Sequence, residues 1–424
     1  MKNNKAPLSL PVAEGYGTLD GEFAASTARA SVLERWRARK LLALTGDPPL
    51  RLVLWGGEEI AACPGAPIAR LLIRDRGALF KLLRHPDLHF GDLYSLGRIE
   101  VEGDLVGFLE AAYRAAAGAR VRKHLKSVLD WINRPRANSL TGSKKNIHHH
   151  YDLGNDFYKL WLDREAMQYT CAYYPRAEMT LEEAQRAKMD YVCRKLELKP
   201  GQRVVEAGCG WGGLARHMAR HYGVKVRSYN ISREQIAHAR AQARAEGLAE
   251  RVEYIEDDYR NATGTYDAFV SVGMLEHVGK DHYRTLGEVA DRCLTARGRG
   301  LIHSIGRNRP EPMNTWIEKR IFPGAYPPTI AEMMEIFEPN GFSVLDVENL
   351  RLHYARTLAH WLERFDRHQE RIEEHFDRAF MRAWRLYLAG SQAAFTSGSL
   401  QLFQAVFARA TDNDLPWSRA HLYT

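Results

Sequence analysis

Between Val204 and Gly213 the chain reads VVEAGCGWGG, where one carboxylate, Glu206, stands two residues ahead of the alternating glycines Gly208, Gly210 and Gly212. Gly208 and Gly210 allow backbone conformations and a close ligand approach that a Cβ would block. The spacing ExGxGxG differs from the GxGxxG of dinucleotide sites. A carboxylate placed there attracts an ammonium and repels a pyrophosphate, which favours S-adenosylmethionine over a dinucleotide. Further along, Asn230, Ser232 and Gln235 supply polar groups suited to ribose hydroxyls, with Ser232 also suited to capping a helix. Glu256-Asp257-Asp258 offers acceptors for an adenine amino group.

These groups need a frame that sets them at the ends of strands. Apolar runs at 203–207, 224–229, 252–255, 267–272 and 300–305 alternate with helical segments, the pattern of a parallel, doubly wound α/β sheet. The glycine loop follows the turn signal Lys199-Pro200-Gly201 and precedes a helical stretch, so it has the strand, loop and helix context that a lone glycine pattern lacks. Three polar signals in order at successive strand ends predict a methyltransferase with a class I, Rossmann-like catalytic domain.

The 424 residues are too many for one compact core, and two domains are expected. Residues 1–24 read as a flexible tail with no continuous apolar run of the kind a secretory signal needs. A small α+β domain is expected over 25–133, with strand-like runs at 51–55 and 70–75 and helix-like stretches near 77–84 and 105–116. A Pro-, Gly- and Ser-containing linker falls at 134–146 and the catalytic domain at 147–424, turning helical and aromatic after about 355, with Phe403 and Phe407 among its rings. The helical stretch Ser31–Leu42 carries Val32, Leu33 and Trp36 among cations. It reads as a domain-packing helix with a solvated basic face, or as one lying on an anionic membrane surface.

Composition narrows the function classes. No run of about 18 apolar residues occurs, so no helix is expected to span a bilayer. Five cysteines with no CxxC pair argue against a disulfide framework or structural zinc and for a reducing, cytoplasmic setting. Adjacent His148, His149 and His150 cannot easily converge on one ion, and no metal is expected. The net charge of +8 suits a polyanionic partner without choosing between lipid and nucleic acid.

Three stretches lie outside the generic frame: HYDLGNDFY (150–158), MQYTCAYY (167–174) and SVGMLEHVG (271–279). Together with GCGWGG, LIHSIG (301–306), IFPG (321–324) and HYARTL (353–358), they resemble the cyclopropane-fatty-acid synthases, which include the mycolic acid cyclopropane synthases. The likeness runs from about 146 to the C-terminus, and residues 50–110 resemble more weakly the lipid-engaging N-terminal module of the longer bacterial members.

The resemblance implies a helical lid over the sheet and transfer of a methyl from S-adenosylmethionine to a cis double bond in a phospholipid acyl chain. Ring closure follows loss of a proton to a bound bicarbonate. It places the bicarbonate on Cys171, Glu276, His303, the backbone of Ile305 and Tyr354. It places the cofactor on Tyr169 and Thr170 near the methionine, Gly208 and Gly210 at the loop, Asn230 and Gln235 near ribose, and Asp257 near adenine, beside the Glu206 already marked by its charge. It also implies a cytoplasmic enzyme, peripheral to the inner face of an anionic membrane, with no nucleic-acid partner and a homodimeric assembly.

Taken alone, Cys171 reads as a small buried residue, His303 as a satisfied core histidine and Tyr354 as a packing ring; their joint occurrence within matched motifs tips the reading towards a site. Rival readings keep the fold. A fatty-acid C-methyltransferase would give a methyl- or methylene-branched chain, and a small-molecule N-methyltransferase or a lipid-binding protein without catalysis would use the same scaffold.

Overall fold

The computed structural model describes residues 29–44, 46–61, 63–118 and 153–423. The proposed tail, the linker at 134–146 and the triple histidine lie outside the described residues. The chain divides into two compact units. One holds the N-terminal part together with 312–323 and 361–399; the other holds 153–311, 324–360 and the C-terminal residues from 400.

In the first unit, α1 (Val32–Leu44) is followed by β1 (Leu50–Val53), β2 (Glu59–Ala61), β3 (Ala69–Ile73), α2 (Arg76–Arg84), α3 (Pro86–Ser95), β4 (Ile99–Gly103) and α4 (Leu105–Gly118). The four strands form a mixed sheet in the order β2-β1-β3-β4, with β1 and β3 parallel and the outer pairings antiparallel. The 361–399 stretch, grouped with the catalytic domain in a linear reading, packs in this unit through the long helix Arg378–Thr396 against α3 and α4. Arg382 donates to the carbonyls of Tyr94 and Ile99. The segment 312–323 is fastened here as well. Gly91 of α3 has no side chain because the ring of Trp316 lies where a Cβ would stand, and Arg320 makes two 3.0 Å hydrogen bonds to the buried Asp92 carboxylate.

The face of α1 that packs is formed by Ala38, Leu41 and Leu42, which are buried. Val32, Leu33 and Trp36, the residues a packing helix was expected to bury, are more than half exposed. They lie on the opposite side of the helix, since at 3.6 residues per turn none of the three stands three or four residues from Ala38.

The second unit is built on a seven-stranded sheet in the order β10-β11-β9-β8-β5-β6-β7. Its elements are α5 (Leu181–Lys195), β5 (Arg203–Ala207), α6 (Gly213–His221), β6 (Lys225–Asn230), α7 (Arg233–Ala245), β7 (Val252–Glu256), β8 (Tyr266–Val272), α8 (Tyr283–Cys293), β9 (Leu294–Gly306), α9 (Ile330–Phe337), β10 (Phe342–Asn349) and β11 (Gln401–Arg409). The pairings among β5 to β9 are parallel, whereas β11 pairs antiparallel with both β9 and β10. All five expected strands are present. The surprise is β11. Phe403 and Phe407, expected in a helical aromatic region, stand on a strand whose residues 401–408 are all buried. One core lies on each face of the sheet. Val204, Met218, Ile236 and Leu301 belong to one, and Val205, Phe269, Leu286, Ile302 and Phe337 to the other. With both faces covered, the parallel strands are near-continuously apolar.

Candidate active site

The loop after β5 is built to bring backbone close to a ligand. Gly208 has φ +85°, and a Cβ there would stand 3.0 Å from the Cβ of Met274. Gly212 has φ +76° and caps α6; its carbonyl accepts from the Tyr254 hydroxyl at 2.8 Å, and a Cβ would meet that ring. Side chains other than hydrogen are strained at such φ values.

Above this loop, at the C-terminal ends of β5, β6 and β8, opens a cleft of about 730 Å3, mouth included. The place is where doubly wound sheets bind ligands. Tyr169, Thr170, Glu206, Gly208, Gly210, Asn230 and Gln235 all line it. Asp257 is not among the lining residues. Its carboxylate accepts from the Asp258 N–H at 2.7 Å and from the Asn261 amide at 2.9 Å. The sequence reading did not single out Met167, Gln168, Trp211 and Met274, which also line the cleft, as does His277.

The polar side chains of the cleft are only partly satisfied within the protein. Asn230 gives its amide to Gln235 Oε1 at 2.8 Å, which fixes the Gln235 side chain and leaves its Nε2 buried with no partner. Such a donor is costly unless a ligand oxygen meets it. Glu206 is buried, and the Ser228 hydroxyl donates to it at 2.6 Å. Burial outweighs that bond and raises its carboxyl to about 7; an incoming ammonium would favour the charged form.

The wall of the cleft is pinned from behind by α5. Thr180 and Glu183 form a capping box that starts the helix. Gln185 donates to the Thr170 carbonyl at 2.9 Å, and Lys188 Nζ donates to Gln168 Oε1 at 2.6 Å and Thr170 Oγ1 at 2.8 Å. Asp163 accepts the backbone N–H groups of Ala166 and Gln168, so the turn before Tyr169 is held as well. Neither Gln185 nor Lys188 was marked by the sequence reading, since a lysine on an amphipathic helix normally points to water.

None of Cys171, Glu276, His303, Ile305 and Tyr354 lines this cleft; Cys171 directly follows Thr170, which does, and Glu276 falls between Met274 and His277, which also do. Glu276 lies in a 3-10 turn after β8 and is 6% exposed. Its Oε1 accepts from the Ile305 N–H at 2.5 Å, and its Oε2 is buried without a partner. Its carboxyl is raised to about 7, first by burial and against the lowering effect of the Ile305 N–H.

His303 on β9 is 1% exposed and faces the Gln404 amide across the β9–β11 pairing, with Nδ1 3.0 Å from Gln404 Nε2. An amide nitrogen only donates, so Nδ1 accepts and the ring proton sits on Nε2, which has no partner. Burial holds this ring well below the usual histidine pKa and therefore neutral.

Cys171 is buried, its thiol directed to the Ala172 carbonyl at 3.1 Å and the Leu350 carbonyl at 3.9 Å; burial pushes the thiol up, so it stays protonated. Tyr354, also buried, gives its N–H to the same Leu350 carbonyl. Leu350 in turn donates to Leu402, which pairs with Ile305. Backbone bonds thus link the segments that carry Tyr354, Ile305 and His303, and the Cys171 thiol and the Glu276 carboxylate join them through side-chain bonds. Among the described residues no group of three or more His, Cys, Asp or Glu is arranged to hold a metal.

This sheet order, the glycine loop after its first strand and the acid preceding it define a class I S-adenosylmethionine-dependent methyltransferase. Residues 138–405 match the model of the mycolic acid cyclopropane synthetase family, and the chain belongs to that family. It is 37% identical over 362 residues to the cyclopropane-fatty-acyl-phospholipid synthase of Escherichia coli K12, covering 84% of this chain and 92% of that protein. It is 35% identical over 397 residues to a probable fatty acid methyltransferase of Pseudomonas putida, covering 88% and 96%. The crystal structure of mycolic acid cyclopropane synthase CmaA1 complexed with SAH and CTAB superposes with a TM-score of 0.59 at 30% identity, covering 62% of this chain and 97% of that one.

Proposed function

We propose that this chain is a cyclopropane-fatty-acyl-phospholipid synthase that adds a methylene across the cis double bond of an unsaturated phospholipid acyl chain. The observation that carries the proposal is the likeness to the Escherichia coli enzyme of that name, which is longer than the family region alone.

S-adenosylmethionine, when bound, supplies an electrophilic methyl group on a sulfonium. Tyr169 and Thr170 would hold its methionyl part, Glu206 the ammonium, Gly208 and Gly210 the chain near the loop, and Asn230 and Gln235 the ribose, with Asp257 assigned to adenine. An alkene is a poor nucleophile, so the cleft's main task is orientation, which supplies up to roughly 7–11 kcal/mol in ideal cases. Methyl addition leaves a carbocation on the lipid. The site must exclude water, which would trap that cation as an alcohol; aromatic faces stabilise a desolvated cation by about 2 kcal/mol.

Bicarbonate supplies the base. The unpartnered Nε2–H of His303 and the unpartnered Oε2 of Glu276 suit it, one as donor to an anion oxygen and the other as acceptor of its hydroxyl. Cys171 and Tyr354 add donors. The Ile305 N–H, which is engaged by Glu276 Oε1, reaches the anion only by sharing that bond. Glu276 keeps the anion aimed, and neutral His303 donates without adding charge.

The N-terminal unit is assigned to lipid engagement at the inner face of an anionic membrane. Exposed Val32, Leu33 and Trp36 beside Arg35, Arg37 and Lys40 support that reading, with Lys40 lying 5.3 Å from the Trp36 ring. No described helix is long and apolar enough to cross a bilayer. The assembly is taken to be a homodimer.

A second reading is favoured by the Pseudomonas relative's name: a fatty acid methyltransferase in which the proton leaves a chain carbon and the product is branched. The deciding experiment incubates the purified chain with S-adenosylmethionine and vesicles of a dioleoyl phospholipid and analyses the fatty-acid methyl esters by mass spectrometry. A gain of one CH2 with ring-type fragmentation supports the synthase. A methyl- or methylene-branched pattern selects the second reading, and no mass gain rejects both.

A further inference from the structure

Lys188 is a lysine with 1% exposure that the mechanism above does not use. It projects from α5 beneath the wall shared by the two halves of the site. Two of its three N–H donors are committed to neutral oxygens, Gln168 Oε1 and Thr170 Oγ1, and no carboxylate of the described residues lies within ion-pair distance of it. An ammonium buried in this way is expensive. Hydrogen bonds to an amide and a hydroxyl alone could come from a neutral side chain at lower cost.

The groups that feel its charge are Asp163, Cys171 and Glu206, together with His303, whose protonated form it disfavours. They span both halves of the site. Thr170, which it holds, lines the cofactor cleft, and the next residue, Cys171, is one of those assigned to bicarbonate.

We propose that Lys188 is a positioning residue for both halves: its ammonium fixes Gln168 and Thr170 at the cofactor wall and supplies the positive charge that holds a small anion beside Cys171 and His303. The anion half rests on the bicarbonate reading above. The cation lowers the cost of placing an anion in a dry cavity and discourages protonation of His303, which keeps that ring a neutral donor. Burial lowers the Lys188 pKa to about 8. Its charge is therefore present at neutral pH and lost as the pH rises through that value. Glu206, Asp163, Cys171 and His303 are the titratable groups facing it.

The test uses the full chain and two variants, Lys188→Met and Lys188→Gln, with thermal melting to confirm folding. Turnover is measured against bicarbonate concentration in buffers depleted of carbon dioxide, and S-adenosylhomocysteine affinity by calorimetry. In folded Lys188→Met the half-saturating bicarbonate concentration rises about tenfold, the loss of one charge-assisted contact. High bicarbonate restores most of kcat, and S-adenosylhomocysteine binds more weakly.

At fixed bicarbonate the wild-type rate falls above pH 8, and that limb is absent in the variants. Lys188→Gln keeps a hydrogen bond without the charge and carries the same test should the methionine variant fail to fold. Unchanged bicarbonate dependence and an unchanged alkaline limb in folded variants overturn the proposal, as does a uniform loss of kcat that bicarbonate does not rescue. A wild-type enzyme indifferent to bicarbonate sinks the anion reading and with it the anion half, while calorimetry still decides the cofactor half.

Discussion

The acids that fasten segments of the first unit and the acids of the candidate site in the second are treated in opposite ways. In the first, Asp92 is 2% exposed and is met by the Arg320 guanidinium through two bonds of 3.0 Å, and the half-buried Asp75 is met by Arg98 at 2.9 and 2.5 Å while also capping α2. In the second, Glu276 and Glu206 are buried as deeply but receive one backbone N–H and one hydroxyl, with no guanidinium. A paired carboxylate fastens segments together. An underpaired one has its pKa raised to about 7, where it can respond to a ligand. The difference separates acids that hold the fold from acids kept in reserve for chemistry.

The largest effect should come from the reserve. Glu276→Gln keeps the acceptor for the Ile305 N–H and removes the charge that aims the base, so kcat should drop by about 10²–10⁴, the usual worth of a positioned acid–base group. S-adenosylhomocysteine affinity should stay within about twofold. Calorimetry beside a turnover assay checks this, and equal loss of both would mean that Glu276 serves the cofactor instead.

Next in size is the fastening pair. Asp92→Ala removes the two bonds that the carboxylate makes to the buried Arg320 guanidinium, which should cost about 3–5 kcal/mol in urea unfolding, and the double variant with Arg320→Met should recover part of the loss. Additive losses would show that the pair is not a unit.

A third prediction reverses the sign. The Glu276 carboxyl titrates near 7 in the fold against an ordinary 4.5. The pH-dependent cost of its ionisation is therefore absent below about pH 4.5, grows until about pH 7 and is fully present above it. Glu276→Gln should thus be more stable than wild type by up to ~3 kcal/mol at pH 8, with the gain shrinking towards pH 5. A pH-independent difference would place the raised pKa elsewhere.

Much of this contrast was legible before the fold was seen, but unevenly. The five parallel strands announced themselves because each is an apolar run closed by a turn signal. The glycine loop was readable because its strand and helix flank it. β11 was not. With both faces covered, Gln401–Ala408 lacks a two-residue alternation, and its phenylalanines read as part of the aromatic helices before it.

The same gap hid the partner of His303. Gln404 reaches that ring only through an antiparallel pairing across 101 residues, which no local pattern encodes. Lys188 and Gln185 were invisible for a different reason. They stand three residues apart on the face of α5 that also buries Leu181, Ala184 and Val192, but a glutamine and a lysine read by type as surface residues. Val32, Leu33 and Trp36 failed in the opposite direction, being apolar residues of α1 that the fold leaves exposed.

The smallest effect probes how α5 carries the reserve. Thr180 begins this helix by accepting from the Glu183 N–H, while the Glu183 carboxylate accepts from the Thr180 N–H at 2.8 Å. Thr180→Ala removes the side-chain half of the box and should cost ~1 kcal/mol. The box lies on an exposed edge, and Lys188 sits two turns further along, so the helix should fray from its first turn without shifting the lysine. Melting temperature should therefore fall by a few degrees while kcat and the bicarbonate dependence stay at wild-type values. Loss of activity larger than the loss of stability would mean that the site depends on the helix as a rigid whole, and the division between fastening and reserve would then fail within the catalytic unit itself.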